Sequence, residues 1–218
     1  IFDGNGYSIK GLRIKLTDDT KPSGTSWIWY AGLFAKVSGT VRNLHMVNVN
    51  IDVSKGHNTN FVSKTGAITA ELVDGATLSG CSVSGIVKAG SYIYAGGLVG
   101  ENNGTVSKSY NNADVSGKYY TGGIVGRNAK IIADCYNTGN ITNNSTNTSY
   151  AGGIAAYSIG ESGNNAQVVR SYNIGQITSK NSSSTAYAVT YNGYNAKTVD
   201  SYYLTGTGVG VTGATALT

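Results

Sequence analysis

Residues 94–100 read Tyr-Ala-Gly-Gly-Leu-Val-Gly (YAGGLVG) and run straight into Glu101, Asn102, Asn103 and Gly104. Glycines this dense beside a short apolar run suit either a loop that cradles a phosphate or a backbone corner. Repetition separates the two. YAGGLVG recurs as YTGGIVG from Tyr120 and YAGGIAA from Tyr150, with divergent copies WYAGLFA from Trp29, KTGAITA from Lys64 and TAYAVTY from Thr185. A phosphate loop would occur once, open a helix, and carry the Lys and Ser/Thr of a P-loop or the spacing of a dinucleotide fingerprint. Gly100 leads instead into ENNGTV, so the stretch is a corner that the chain makes many times.

A second block trails each copy: SKSYNNADV from Ser107, ADCYNTGNI from Ala133, VRSYNIGQI from Val169 and VDSYY from Val199, with SGCSVSGIV from Ser79 and RNLHMVNVNI from Arg42 as divergent members. The apolar residue after the glycines falls at Leu33, Ile68, Leu98, Ile124, Ile154 and Val189, spaced by 35, 30, 26, 30 and 35 residues. Constant blocks at variable spacing mean insertions in loops, and the longer intervals hold the polar stretches 53–64, 142–149 and 178–186. The opening IFDGNGYSIKGLRIKL reads as one more coil of strand, turn and strand.

Each unit offers two or three short strand-like segments and no helical period, too little to bury a face alone, so the units must stack. The composition agrees: 31 Gly, 16 Tyr, one Pro and 12% charged residues in a chain of 218. Tyr, Val, Ile and Thr favour strands, and Gly, Asn and Ser favour turns. The expected fold is all-β, a right-handed parallel β-helix of about seven coils, because a propeller blade needs a longer repeat. Residues 1–218 form a single repeat domain with coils beginning near 1, 30, 65, 95, 121, 151 and 186. The chain opens on a strand-like segment without a leader, which suggests an excised part of a longer protein.

Gly97-Leu98-Val99-Gly100 and Gly123-Ile124-Val125-Gly126, each followed by a Ser/Cys-Tyr-Asn block, resemble the GLUG repeat family. FDGNGYSIKGL resembles the coil that commonly precedes such arrays. The resemblance covers nearly the whole chain and is sharpest in the three central copies. It implies a β-solenoid from a large bacterial surface or secreted protein, of the kind that accompanies immunoglobulin A peptidase domains without forming them. It transfers no active-site residue.

Stacking turns sequence columns into ladders with steps of about 4.8 Å. Lys108, Asp134, Arg170 and Asp200 make a column of alternating sign, Tyr110, Tyr136, Tyr172 and Tyr202 a column of rings, and Asn111, Asn137 and Asn173 a column of amides suited to coil-to-coil hydrogen bonding. These are expected to be scaffold. Trp29, Tyr94, Tyr120 and Tyr150 form a second aromatic row, the candidate contact with a ligand or partner. Cys81 and Cys135 share a column with Ser109 between them, about 9.6 Å apart at two steps, beyond the reach of a disulfide. Two free, inward-facing cysteines are expected.

Conventional chemistry is scarce. His45 and His57 have no Cys or carboxylate at ligand spacing, and the adjacent acids Asp18 and Asp19 read as a solvated turn rather than a calcium site, so neither metal nor cofactor is expected. Six Asn-any-Ser/Thr sequons, at Asn103, Asn140, Asn143, Asn144, Asn147 and Asn181, follow from composition. The net charge of +5 is scattered singly, which speaks against a nucleic-acid groove, and no apolar run is long enough for membrane insertion.

Repetition without chemistry points to a non-catalytic extracellular module at a bacterial cell surface, an adhesin or spacer with a protein or glycan partner. A polysaccharide lyase or glycosidase is the alternative, opposed by the scatter of 11 acidic residues along the chain. Ice binding is not expected, since no Thr-any-Thr column repeats. Neither a helix nor a charged cap is evident at Ile1 or Thr218, leaving end-to-end self-association into filaments as a further expectation.

Overall fold

The computed structural model describes residues 1–16, 28–54, 62–90, 93–161, 165–181 and 184–218. All their regular structure is strand, and the strands form four parallel sheets whose order follows the chain. One coil shows the plan. Ile93–Gly96 lies in sheet I, Val99–Asn102 in sheet II, Thr105–Ser107 in sheet III and Tyr110–Gly117 in sheet IV, before Tyr120–Gly122 returns to sheet I one step along the axis. Sheets I and II hold six strands each, sheet III seven, and sheet IV eleven because several of its rungs are split in two. This is the parallel β-solenoid that the repeats imply. Its strands enter sheet I at residues 28, 62, 93, 120, 150 and 185.

The interior is built from apolar columns. Val41, Leu78, Val106, Ile132 and Val168 pair in succession along sheet III, and Ile51, Val87, Val115, Ile141 and Ile177 along sheet IV. The leucine position of the repeat, Ile68, Leu98, Ile124, Ile154 and Val189, is wholly buried. Each such side chain contributes about 1.5–3 kcal/mol of hydrophobic stabilisation. Ala, Thr and Gly elsewhere in the coil let the sheets approach closely.

Two corners carry most of the conformational specificity. Between sheets III and IV the chain turns through a left-handed residue in coil after coil: Asn43, Gly80, Lys108, Asp134, Arg170 and Asp200, with φ of 45° to 63°. The charged ladder is therefore also the turn. The next residue points inward, and from Cys81 onward its side chain accepts a backbone N–H from the coil before it. Ser109 Oγ accepts from Cys81 N at 3.0 Å, Ser171 Oγ from Cys135 N at 3.2 Å and Ser201 Oγ from Ser171 N at 3.2 Å. The sulfurs of Cys81 and Cys135 serve Leu44 N and Ser109 N in the same way. Both cysteines are buried and free, as the two-step spacing requires.

The other corner, between sheets I and II, is YAGGLVG. A methyl on Gly97 or Gly123 would overlap the backbone of the next coil and the amide of Asn111 or Asn137, and one on Gly100 would sit 2.6 Å from the Thr65 nitrogen. None of these three glycines has positive φ among the described residues, so they are selected for close approach.

At the far end, residues 205–217 form a shortened coil. Val209 pairs with Tyr187 of sheet I, and Ala214–Leu217 then lies on Ser201–Leu204 of sheet IV, with no strand in sheets II or III. This last coil is shorter than the others, and the sequence offers neither helix nor charge to mark the difference. Its signal was only the glycine-rich TGTGVGVTG, which bends the chain inward at Gly206 and Gly213.

Candidate functional site

Polar and aromatic side chains form ladders along the axis. Asn111 Nδ2 donates to Asn137 Oδ1 and Asn137 Nδ2 to Asn173 Oδ1, both at 2.8 Å, with each amide wholly buried. Every member also closes its own turn, as in Asn111 Nδ2 to the Ala113 carbonyl at 2.8 Å. A second ladder, not foreseen from the sequence, runs at the turn out of sheet II: Asn102 Nδ2 donates to Asn128 Oδ1 at 2.8 Å, and Asn128 Nδ2 to Ser158 Oγ at 3.4 Å. Its signal was the Asn two residues after the closing glycine in GENNG and GRNAK. Tyr110, Tyr136 and Tyr172 stack face to face at 4.7 and 5.0 Å, within 5° of parallel. In the charged ladder one contact is realised, a two-pronged bond from Arg170 to Asp134 at 2.7 and 2.9 Å.

The second aromatic row requires one correction. Tyr94, Tyr120 and Tyr150 pair in sequence along sheet I, but the first-coil member of their column is Tyr30, because Tyr30 and Tyr94 both pair with Lys64. Trp29 pairs with Ser63, one place earlier. The first copy has a single residue, Gly32, where the others have two, such as Gly96-Gly97 or Gly66-Ala67, so counting back from Leu33 overshoots by a residue. The first corner is simply shorter.

Around this row lies the most elaborate surface of the described residues. Sheets I and II meet so closely that side chains of both share one seam. From sheet II, Lys36, Glu71, Glu101, Arg127, Tyr157 and Tyr191 form a column, traced through the pairings of successive coils. Along the axis the seam changes from charged to aromatic.

At the charged end Lys64 reaches Glu71 at 2.8 Å and also contacts Glu101. Arg127 bonds Glu101 at 2.6 Å and Glu161 at 2.8 Å, while Lys36 lies 3.4 Å from Glu71. Lys36 and Lys64 both sit over the Tyr30 ring, at 5.0 and 5.7 Å. The Lys64 and Glu101 side chains are only 10% and 9% exposed. Burial works against the Lys64 ammonium, but its bonds to Glu101 and Glu71 outweigh that and hold its pKa above the ordinary value. Burial likewise pushes the Glu71 carboxyl up, and Lys64 and Lys36 bring it below the usual range. Arg127, penalised by burial, is held up by Glu161 and Glu101. An open groove of about 360 Å³ adjoins these residues, with Asp74 and Lys130 paired on its wall.

At the aromatic end Tyr150 is the hub. Its ring lies 5.7 Å from Tyr120, 5.5 Å from Tyr157 and 4.6 Å from Tyr191, all within 19° of parallel. Tyr94 joins through Tyr120 at 5.4 Å and Tyr187 through Tyr191 at 5.2 Å. Burial, reinforced by the neighbouring phenols Tyr119 and Tyr94, raises the pKa of Tyr120 well above that of free tyrosine. Because the rings stack on one another, their faces are occupied and their edges are left for a ligand. Sugar stacking needs open faces, so this row is suited to hydrogen bonding at its hydroxyls.

Along the chain the acids are scattered; the fold brings Glu71, Glu101 and Glu161 into one seam with Lys36, Lys64 and Arg127. Glu71 and Glu101 escape sequence reasoning because they fall two residues after the first β-residue of the corner in different coils, a column visible only once the coils are aligned on Val99 and Val125. Among the described residues no group of three or more His, Cys, Asp or Glu is placed to hold a metal, and His45 bonds Ser82 through Nδ1 at 2.7 Å. Asp18, Asp19 and His57 lie outside the described residues.

The sequence profile of the GLUG motif matches residues 117–142, which span the YTGGIVG copy and the block after it. Among curated proteins none matches. A crystal structure described as that of a putative immunoglobulin A1 protease from Bacteroides ovatus superimposes with a TM-score of 0.69, at 20% identity, over 99% of this chain and 67% of that one. At this identity the likeness establishes the fold alone. The chain thus carries a GLUG repeat on a parallel β-solenoid.

Proposed function

We propose that this GLUG-repeat solenoid is a non-catalytic extracellular module of a bacterial surface protein, acting as a spacer and adhesin whose seam between sheets I and II contacts a protein or glycan partner. The observation that carries the proposal is the seam itself. Tyr94, Tyr120, Tyr150, Tyr157 and Tyr191 gather in one half-buried cluster of rings, and Arg127 pairs with Tyr157 at its edge. Their hydroxyl-bearing edges form a row of donors and acceptors suited to a hydroxyl-rich glycan or the polar backbone of a partner loop. The test is a glycan array and surface-binding screen with the wild type and with Tyr120→Phe/Tyr150→Phe, which keeps the rings and removes two hydroxyls. Binding lost with an unchanged melting curve supports the proposal; binding unchanged removes the row from it.

A polysaccharide-active enzyme is a second reading, favoured by the gathering of acids and bases along the same groove. The protonation states weigh against it. A glycosidase needs one carboxyl kept protonated by a raised pKa and a lyase needs a base near neutrality. Here Glu71 and Asp74 are held low by Lys64 and Lys130, and Lys64 is held high. Turnover on a panel of acidic and neutral polysaccharides that is lost in Glu101→Gln would replace the adhesin reading.

A further inference from the structure

The outer face of sheet IV carries an apolar patch that no described residue covers. Tyr172 and Tyr202 pair on adjacent strands, Ile174 and Leu204 follow two residues further along them, and Leu217 pairs with Leu204 on the last strand. All five are at least 39% exposed. Beside them runs the turn ladder Lys108, Asp134, Arg170 and Asp200. Arg170 is bonded to Asp134, while Asp200 has no ion pair of its own among the described residues.

We propose that this face is the contact between two copies of the chain, packed sheet to sheet about a two-fold axis that lies along the strands and passes between Tyr172 and Tyr202. Such an axis keeps the strand direction and reverses the order of the coils. Tyr172 then faces Tyr202 of the second copy, Ile174 faces Leu204, Thr138 faces Leu217, and Arg170 faces Asp200, with every contact made twice. The Arg170–Asp200 step of the ladder is its own complement under this axis. A ladder of one sign would oppose itself under this operation, and an unrelated partner would require no such match. The apolar strip itself bears no charge, so the net charge of +5 does not bring like charges together there.

The size of the patch sets the strength of the contact. Four strands at about 4.8 Å and the five residues from the turn ladder to Ile174 and Leu204 at about 3.3 Å give roughly 300 Å² per copy. The total of about 600 Å² falls below the usual range for stable complexes, so the dimer is weak and concentration-dependent. The inference does not rest on the seam, which lies on other sheets, so either can fail alone.

Sedimentation velocity on the chain from about 5 µM to about 500 µM, the range in which a weak interface reports itself, tests the proposal. The wild type should shift from monomer towards dimer, and Ile174→Lys/Leu204→Lys should remain monomeric throughout with an unaltered melting curve. Arg170→Asp and Asp200→Arg should each dimerise less alone, and mixing the two should restore association, because the mixed pair places Arg opposite Asp at both contacts. A wild type that is monomeric at every concentration would assign the face to some other partner and overturn the proposal. Association that survives the double Lys variant, or a mixture that fails to recover, would also overturn it.

Discussion

Gly123 shows how little freedom a single residue has in this fold. A methyl at its α-carbon would overlap the Gly153 carbonyl and lie 2.5 Å from the Asn137 amide carbon, so Gly123→Ala must push two coils apart. The expected loss is about 3 kcal/mol or more. Gly39 has nothing within 4 Å and no positive φ, and Gly39→Ala should be neutral or stabilising by about 0.5 kcal/mol. Urea titration of both variants checks the pair. The cysteines give a second residue-scale test. Burial raises the Cys135 thiol to about 12, and the residue is 1% exposed, so it should resist thiol reagents at about pH 8 while folded and react at once in denaturant. A Cys81–Cys135 bridge found by mass spectrometry after air oxidation of the native chain would contradict the two-step spacing. These positions were legible from the sequence because buried columns repeat their chemistry. The left-handed turn was harder to see: Asn43 and Gly80 carry its signature, but Lys108 and Arg170 in the same column do not, and with Asp134 and Asp200 they read naturally as charges alone.

At the scale of elements the seam behaves as a unit. Replacing Tyr94, Tyr120 and Tyr150 together by Ser removes ring contacts to Tyr157 and Tyr191 as well as within the row. With about 0.5–1.5 kcal/mol for each stacked pair beyond area burial, a loss of roughly 3–5 kcal/mol is expected. Tyr120→Phe/Tyr150→Phe should melt within about 1 kcal/mol of the wild type, since rings and packing survive and only two hydroxyls are removed. Thermal melts of the two variants separate packing from recognition. The charged end sets the response to pH. Glu71 is depressed from its ordinary 4.5, so its stabilisation is full above that value and is lost as pH falls through the lower folded pKa. Lys64 is raised from 10.5, so its share is full below that value and is lost as pH rises through the higher folded pKa. The melting temperature should be flat between about pH 5 and pH 10 and fall on both sides. Lys64→Met should flatten the part of the alkaline limb that its ion pairs cause; an unchanged limb would exclude the Lys64 pairs as its cause and leave the buried phenols of the seam. The sequence exposed half of this element. Tyr94, Tyr120 and Tyr150 announce themselves by repeating, whereas Lys64, Glu101 and Arg127 change identity from coil to coil and become a set only through contact.

At the scale of the whole molecule, the features that recur in sequence are those imposed by stacking: glycine where backbones touch, asparagine where amides chain together, and leucine, isoleucine or valine where the interior must be filled. Architecture was therefore readable from YAGGLVG and the Ser/Cys-Tyr-Asn block. What was hidden belongs to places where the repeat breaks: the shorter first corner that moved Trp29 out of the row, the shortened coil at 205–217, and the apolar face around Ile174 and Leu204. The most direct test of the stacked architecture is a side-chain amide NOESY spectrum with Asn111, Asn137 and Asn173 assigned. These residues are 26 and 36 positions apart in sequence, yet they donate to one another in order at 2.8 Å. The fold predicts strong cross-peaks from Asn111 to Asn137 and from Asn137 to Asn173, and none from Asn111 to Asn173, which are two steps or about 9.6 Å apart. Asn137 amide protons with no contact to either neighbour, or an Asn111 to Asn173 cross-peak as strong as the others, would contradict it.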